Sequence, residues 1–393
     1  MHRPVLLFLF LFVMPGNVMP QPKVFARADS VALAAPDSAA LSVTRLAGYF
    51  GSELSSKEEL IRAFYVWCGH NIAYDADNMY TFRTVDNPGQ LVIETLIKRK
   101  AVCQGYAAVF HELCQISGIE SYIVLGFTRQ NGTVVNVNHA WVAARPKDEW
   151  RLYDPTWAAG IISEGAFVPR FTNEYFQPDP ARFIKTHMPF DPIWQCLYYP
   201  YSPALFYSQQ PPGKTLENHF SYPDSIAAYL ALPKEERLRQ TLRRVDQNGI
   251  VNNAIGEYRR YLQQSIEVDR LNKESMLVND QVNRFNEAVN HYNSAAYLFN
   301  DYVNYWNRQF KPMKQETEIR QMVDTCAALL SNSRDILAGL QVRDESLIRN
   351  MDILSGSIRE LSAKVGEQKE FLREYFATPK MMRPTLFKNY RPQ

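Results

Sequence analysis

The chain has 393 residues, 46% of them hydrophobic, and its 43 basic and 41 acidic side chains leave a net charge of +2. That length suits two or three domains with cores of their own, and the even charge gives no footing for a nucleic-acid partner. Five cysteines, an odd number, do not make a disulfide framework.

The N-terminus carries His2 and Arg3, then an apolar run from Val5 to Met14, then Pro15-Gly16. That is the shape of a secretory signal, too short to span a bilayer. Residues 1–22 are therefore predicted to be a signal peptide, with cleavage near Val18-Met19-Pro20 or as late as Ala26-Arg27-Ala28. No cysteine follows the apolar run, so a lipid anchor is not implied. The protein is expected to be exported, to the periplasm, the cell surface or the medium.

Residues 40–205 read as a catalytic domain. Asn87-Pro88-Gly89-Gln90 forms a turn before a helix from Leu91 to Lys98, and a second helix runs from Gln104 to Ile116. In the latter, Ala107, Phe110, Leu113 and Cys114 fall on one stripe at helical spacing, and Gly118 supplies the stop. Cys103 then sits at the helix start, where unpaired N–H groups and the positive end of the dipole favour a thiolate. His139 to Ala144 and Trp150 to Asp154 read as strands joined by Arg145-Pro146-Lys147-Asp148. If Ala144 pairs with Glu149, His139 stands opposite Asp154, within side-chain reach. An aspartate there can hold one ring nitrogen and leave the other to face a thiol. Cys68 and Cys114 read as core. No metal-ligand spacing or calcium loop is present, so neither a metal nor a cofactor is implied.

The segments Ala101-Val102-Cys103-Gln104-Gly105-Tyr106-Ala107, His139-Ala140-Trp141 and Tyr153-Asp154-Pro155-Thr156-Trp157 resemble the nucleophile, histidine and aspartate motifs of the transglutaminase-like family, a branch of the papain-like cysteine enzymes. Trp67 to Asp75 resembles the stretch that leads into them. The segment from Asp179 to Gln195 is similar to an extension of the kyphoscoliosis-peptidase and cytokinesis-protein branch. The resemblance covers roughly residues 55–200. It departs at Val142, where relatives often carry asparagine, which bears on hydrogen bonding to substrate. The resemblance implies an α+β fold, with the nucleophile helix packed on an antiparallel sheet. It implies Cys103, His139 and Asp154 as a catalytic triad acting on amide bonds of a protein or peptide through a thioester. Hydrolysis is expected rather than cross-linking. Gln104, Tyr106, Trp141 and Trp157 are candidates for the substrate side. The Cys103 N–H and the Gln90 side chain are candidates for the oxyanion donors. The rival expectation is a scaffold that keeps the fold and binds partners without chemistry.

Residues 206–224, rich in proline and aromatics, read as a linker, and residues 225–377 as a helical, coiled-coil-like domain before a tail at 378–393. Val278, Val282, Phe285, Val289, Tyr292, Ala296, Phe299, Val303, Trp306 and Phe310 step by four and three, with Pro312 as the stop. A second seam runs from Ile319 to Leu372 and skips at Ser333, Asp344 and Gln368. Two long antiparallel helices are expected, on the order of 60–90 Å each. They either pack on themselves or form an arm that binds a partner or self-associates. Beside the first seam run Asn279, Asn283, Asn286, Asn290, Asn293, Asn300, Asn304 and Asn307, poor helix formers, expected to hydrogen-bond to a neighbouring helix or a partner.

Overall fold

The computed structural model describes residues 23–79, 88–208 and 220–389. The chain divides into two compact units, Met1–Ile266 and Glu267–Gln393. The predicted signal segment 1–22, Asn87, residues 209–219 of the predicted linker and residues 390–393 of the tail lie outside the described residues. Among the described residues no helix is long and apolar enough to cross a membrane.

The first unit opens with α1 (Ala26–Leu33), α2 (Val43–Glu53) and α3 (Lys57–Asn71). Ala28 is buried in α1, and Asp29 pairs at 2.5 Å with the buried Arg62 of α3. The later cleavage point, at residue 28, therefore falls inside a packed helix. Ser56 and Glu59 cap the start of α3, and every residue from Leu60 to Gly69 is buried, Cys68 included. A helix apolar on all sides is one enclosed by others.

Strands β1 (Ala73–Tyr74) and β2 (Lys100–Ala101) pair in parallel on either side of α4 (Pro88–Lys98) in the sequence. α4 begins at Pro88 rather than Leu91, with the proline in the first turn where its missing N–H costs nothing. Next comes α5 (Cys103–Ile116), which is buried along most of its length. A Cβ on Gly105 would stand 2.5 Å from both Ala101 Cβ and Thr95 Oγ1, so the glycine lets α4 close on the start of α5.

The sheet follows as β3 (Glu120–Gln130), β4 (Thr133–Arg145) and β5 (Arg151–Tyr153), then α6 (Pro155–Ala159), the hairpin β6 (Gly160–Ser163) and β7 (Ala166–Pro169), α7 (Pro180–Phe183) and β8 (His187–Pro189). The four-stranded order is β5-β4-β3-β8, antiparallel throughout. Alternate residues of β4 serve two cores, as the period of a strand requires. Ala140, Val142 and Ala144 join the core that contains α5, and Trp141 and Ala143 join Trp150, Phe183, Ile193 and Trp194 in another.

The hairpin register differs from the predicted one by two. Ala144 pairs with Arg151 and Val142 with Tyr153. A shift of two leaves every side chain on its intended face. It also ends the ladder at Tyr153, so Asp154 is the N-cap of α6 rather than a strand residue.

After β8 come α8 (Pro203–Ser208), α9 (Tyr222–Leu230), α10 (Lys234–Asn248) and the first turns of α11 (Asn253–Asn307). Arg244 of α10 grips Asp191 with two bonds of 2.7 Å, and Thr241 donates to the same carboxylate at 3.0 Å. The unit boundary lies at Ile266, so α9, α10 and the start of α11 belong with the first unit rather than with the helical domain predicted from residue 225.

The second unit holds the rest of α11 with α12 (Glu316–Ala338), α13 (Glu345–Ala377) and α14 (Arg383–Asn389). Its core joins Ala288, Ala295, Phe299, Tyr302 and Trp306 of α11 to Ile319, Val323, Cys326 and Leu330 of α12 and Leu354, Ile358, Val365 and Phe371 of α13. The expected hairpin of two long helices is instead a three-helix arrangement, because the second seam is broken between Ala338 and Glu345. The skipped residue Asp344 is the N-cap of α13 and accepts from Leu347 N at 2.8 Å. The other two skips are buried polar contacts. Ser333 Oγ donates to the Ala288 carbonyl at 2.7 Å, and Tyr302 OH donates to Gln368 Oε1 at 3.2 Å. α11 stops at Asn307, ahead of Pro312, where Gln309 and Phe310 turn to φ of 51° and 55°. All eight asparagines of the stripe are exposed, so they make no buried bonds to a neighbouring helix of this chain. The fold is α+β, with a large helical C-terminal part.

Candidate active site

The site grows from the start of α5. Val102 precedes the helix and its side chain makes no cap bond, which leaves the first-turn N–H groups to other partners. Cys103 stands there, 7% exposed. β4 delivers His139, 8% exposed, and the cap of α6 delivers Asp154, wholly buried. His139 Nε2 lies 2.7 Å from Asp154 Oδ2. With that nitrogen engaged, Nδ1 is the nitrogen left for another partner, and Cys103 is among the groups that raise the proton affinity of the ring. Of the three residues singled out from the sequence, His139 and Asp154 are in direct contact, and Cys103 opens the helix whose core the β4 residues join.

Asp154 divides its carboxylate between two tasks. Oδ1 accepts from the backbone N–H of Thr156 at 2.8 Å and of Trp157 at 3.1 Å, the cap of α6. Oδ2 accepts from His139 and also from a residue the sequence reading did not single out, His187 of β8, whose Nε2 is 3.1 Å away. Burial opposes ionisation of Asp154, yet the two histidines hold its carboxyl well below the usual range. Burial likewise opposes charge on His139, but the Asp154 charge and hydrogen bond, then Cys103, outweigh it and raise its pKa. His187 behaves differently. Burial drives it down to about 4, so its ring is neutral at neutral pH. The signal for His187 lay in the extension after Asp179, but nothing in local spacing points a β8 residue at the end of β5.

Of the substrate-side candidates, Trp157 is half-buried, its ring 5.7 Å from that of His139. Gln104 is 3% exposed. Tyr106 and Trp141 are wholly buried and do not line an open site. The Tyr106 hydroxyl donates to the Ile72 carbonyl, and Trp141 packs against Phe183 and His187. Val142 is buried in the core beside α5. Gln90 is exposed in the first turn of α4 and its amide donates to Glu94 at 3.2 Å, along its own helix.

All five cysteines are free and buried. Burial pushes the Cys68 and Cys114 thiols far up, Cys196 to about 12 and Cys326 to about 11, so these four stay protonated at neutral pH. Among the described residues, His139, Asp154 and His187 form a group whose ligand atoms lie within 4.8 Å of one another and could hold a metal ion. Both imidazole nitrogens already sit at hydrogen-bond distance from Oδ2, so an ion bound at roughly 2.0–2.2 Å would have to replace both bonds.

Residues 44–155 match the family described as the transglutaminase-like superfamily. Kyphoscoliosis peptidase of Mus musculus is 30% identical over 162 residues, 39% of this chain and 24% of its own length. The same-named protein of Homo sapiens is 30% identical over 156 residues, 38% of this chain and 23% of its own. The chain thus spans about a quarter of the length of these relatives. A solved structure described as "Crystal structure of a TGase" is 17% identical, covering 41% of this chain and 38% of that one. Its TM-score of 0.24 is too low to bear on the fold. Residues 44–155 thus form a stretch similar to the transglutaminase-like superfamily, and the chain is similar to the kyphoscoliosis peptidases over 38–39% of its length.

Proposed function

We propose that the domain is a cysteine enzyme that hydrolyses amide bonds of a protein or peptide. The observation that supports this reading is the buried His139–Asp154 pair, 2.7 Å apart, with Cys103 at the start of α5 among the groups that act on the same ring. The Cys103 sulfur, its proton passed to His139, attacks the amide carbonyl carbon. The oxyanion that forms is offered the Cys103 N–H. The C–N bond then breaks, the leaving amine takes the proton from His139, and a thioester remains. Water attacks the thioester, gives its proton to His139, and releases the acid and the thiol. Asp154 holds the imidazole and stabilises its charged form throughout. Hydrolysis rather than transfer to an amine is favoured because the matched relatives are described as peptidases. Export through residues 1–22 belongs to the same proposal and rests on the apolar run Val5 to Met14.

The second reading is a binding or scaffold domain without chemistry, with the helical unit meeting a partner. The tight enclosure of Cys103 and His139, 7% and 8% exposed, favours it. Labelling with a thiol probe near pH 6, with every labelled cysteine mapped, separates the two. An enzyme gives fast labelling of Cys103 that His139→Ala slows, together with turnover of a peptide library by the full chain. Slow labelling of Cys103, unaltered by His139→Ala, rejects the enzyme. Incorporation of an amine without hydrolysis would replace the peptidase with a transferase.

A further inference from the structure

We infer that His187 is a positioning residue that sets the basicity of His139 by donating to the same oxygen of Asp154. The inference rests on the proposed roles of Cys103 and His139. Oδ2 is the shared acceptor, 2.7 Å from His139 Nε2 and 3.1 Å from His187 Nε2. A carboxylate only accepts, so His187 carries its proton on Nε2. The neutral ring then has a bare Nδ1, and Thr186 Oγ1, at 2.8 Å, fills it.

The fold spends several elements on holding this ring. β8 adds to the edge of the sheet with His187 paired to Thr128. Phe183 of α7 stacks on the ring at 3.9 Å, and Trp157 and Trp141 close round it at 4.4 and 5.4 Å. The titratable groups that face it are Asp154, His139 and the phenol of Tyr175. His187 is wholly buried and its own proton affinity is depressed, so it acts as a fixed neutral donor and not as a second base.

Two donors on one oxygen compete for its charge. The His187 bond therefore weakens the pull of Asp154 on an imidazolium at His139. His139 is held at a basicity from which it can return the proton to a leaving amine, where an unshared carboxylate would bind it too firmly.

The test is the pH dependence of iodoacetamide alkylation at Cys103 in the full chain, over about pH 4 to 10, read by mass spectrometry. A thiol paired with an imidazole gives two inflections, the upper one where His139 loses its proton beside the thiolate. His187→Leu, which keeps bulk and removes the donor, is expected to move the upper inflection upward by about one pH unit. His187→Gln, whose amide reaches the same place, is expected to keep the unsubstituted value. A purely structural role would lower the reactive fraction in both variants without moving the inflection, and that result overturns the inference. An unmoved or lowered inflection in His187→Leu overturns it too, as does a Gln variant that behaves like Leu. A single inflection at an ordinary thiol value in the unsubstituted chain rejects both this and the proposed function. Two inflections there with no shift in His187→Leu reject only this one. If His187→Leu does not fold, nitrogen-15 spectra of the histidines in the unsubstituted chain decide. His187 is expected to be neutral and protonated on Nε2 at neutral pH, and a charged ring or a proton on Nδ1 overturns the inference.

Discussion

Gly126 of β3 stands opposite His139 of β4 in the sheet register, and its other neighbour is Pro189 of β8. A Cβ at Gly126 would lie 2.2 Å from the Met188 carbonyl oxygen, 2.5 Å from Trp141 Cη2 and 2.8 Å from Pro189 Cα. Two of those atoms are backbone and cannot step aside cheaply. Gly126→Ala should therefore force β8 away from β3 and take His187 from Asp154, with a stability loss of about 1–3 kcal/mol. Denaturant unfolding measures the loss. A variant as stable as the parent would mean that β8 yields without cost.

Buried histidines give the first unit a sensitivity to acid. His111 and His187 are each pushed down by burial to about 4. The unfolded chain takes up these protons near pH 6.5, whereas the folded chain refuses them until about 4, so stability falls as pH drops through that window. Asp154, depressed, adds stability above its unfolded value that is lost only at lower pH. His139, raised, adds stability that is full below pH 6.5 and is lost as pH rises through its folded pKa. A maximum near neutral pH follows. Urea unfolding across pH should show it, and His111→Gln should remove on the order of 2 kcal/mol of the acid-side decline. An acid limb of the same steepness in that variant would count against the assignment.

Tyr302 and Gln368 offer a cleaner test in the second unit, since both are buried and bonded to one another. Gln368→Leu leaves the phenol without that acceptor and should cost about 1–3 kcal/mol. Adding Tyr302→Phe should recover much of it, because two apolar partners leave no polar group unpaired. A double variant as unstable as the sum of the singles would show that the bond has no energetic coupling.

The asparagine stripe of α11 is exposed along its whole length. Replacing Asn283, Asn286, Asn290 and Asn293 with alanine should raise the stability of the second unit by roughly 2 kcal/mol through helix propensity alone. Loss of self-association in sedimentation, with stability gained, would instead assign the stripe to an interface.

Much of the candidate site was legible because its parts lie in local patterns. Cys103 opens a helix that its own apolar stripe announces, and His139 and Asp154 flank one short hairpin. Even the register error was harmless, since a shift of two keeps the faces. His187 was not legible, because it reaches the site only through pairing of β8 with β3, a contact that no local pattern specifies. β3 itself is weakly marked, its alternation broken by Gly126, Thr128 and Arg129. On α11 the apolar stripe was legible but its centre was not. The most buried residues, Ala288, Ala295 and Tyr302, lie one step to the side of the expected seam, where small side chains and one tyrosine admit the other helices. The break between α12 and α13 hid behind Asp344, which read as a skip in one long seam and is the cap of a new helix.

The double engagement of Asp154 has a consequence for comparing related chains. With one oxygen it starts α6, and with the other it ties β4 to β8 through their histidines. A related chain with no chemistry at this place would still need a carboxylate here to keep three elements together. Selection on folding alone would preserve both the aspartate and its two histidines. The Cys103 side chain takes no part in that tie, so a chain that keeps the aspartate and both histidines but changes Cys103 would show the fold persisting without the proposed chemistry.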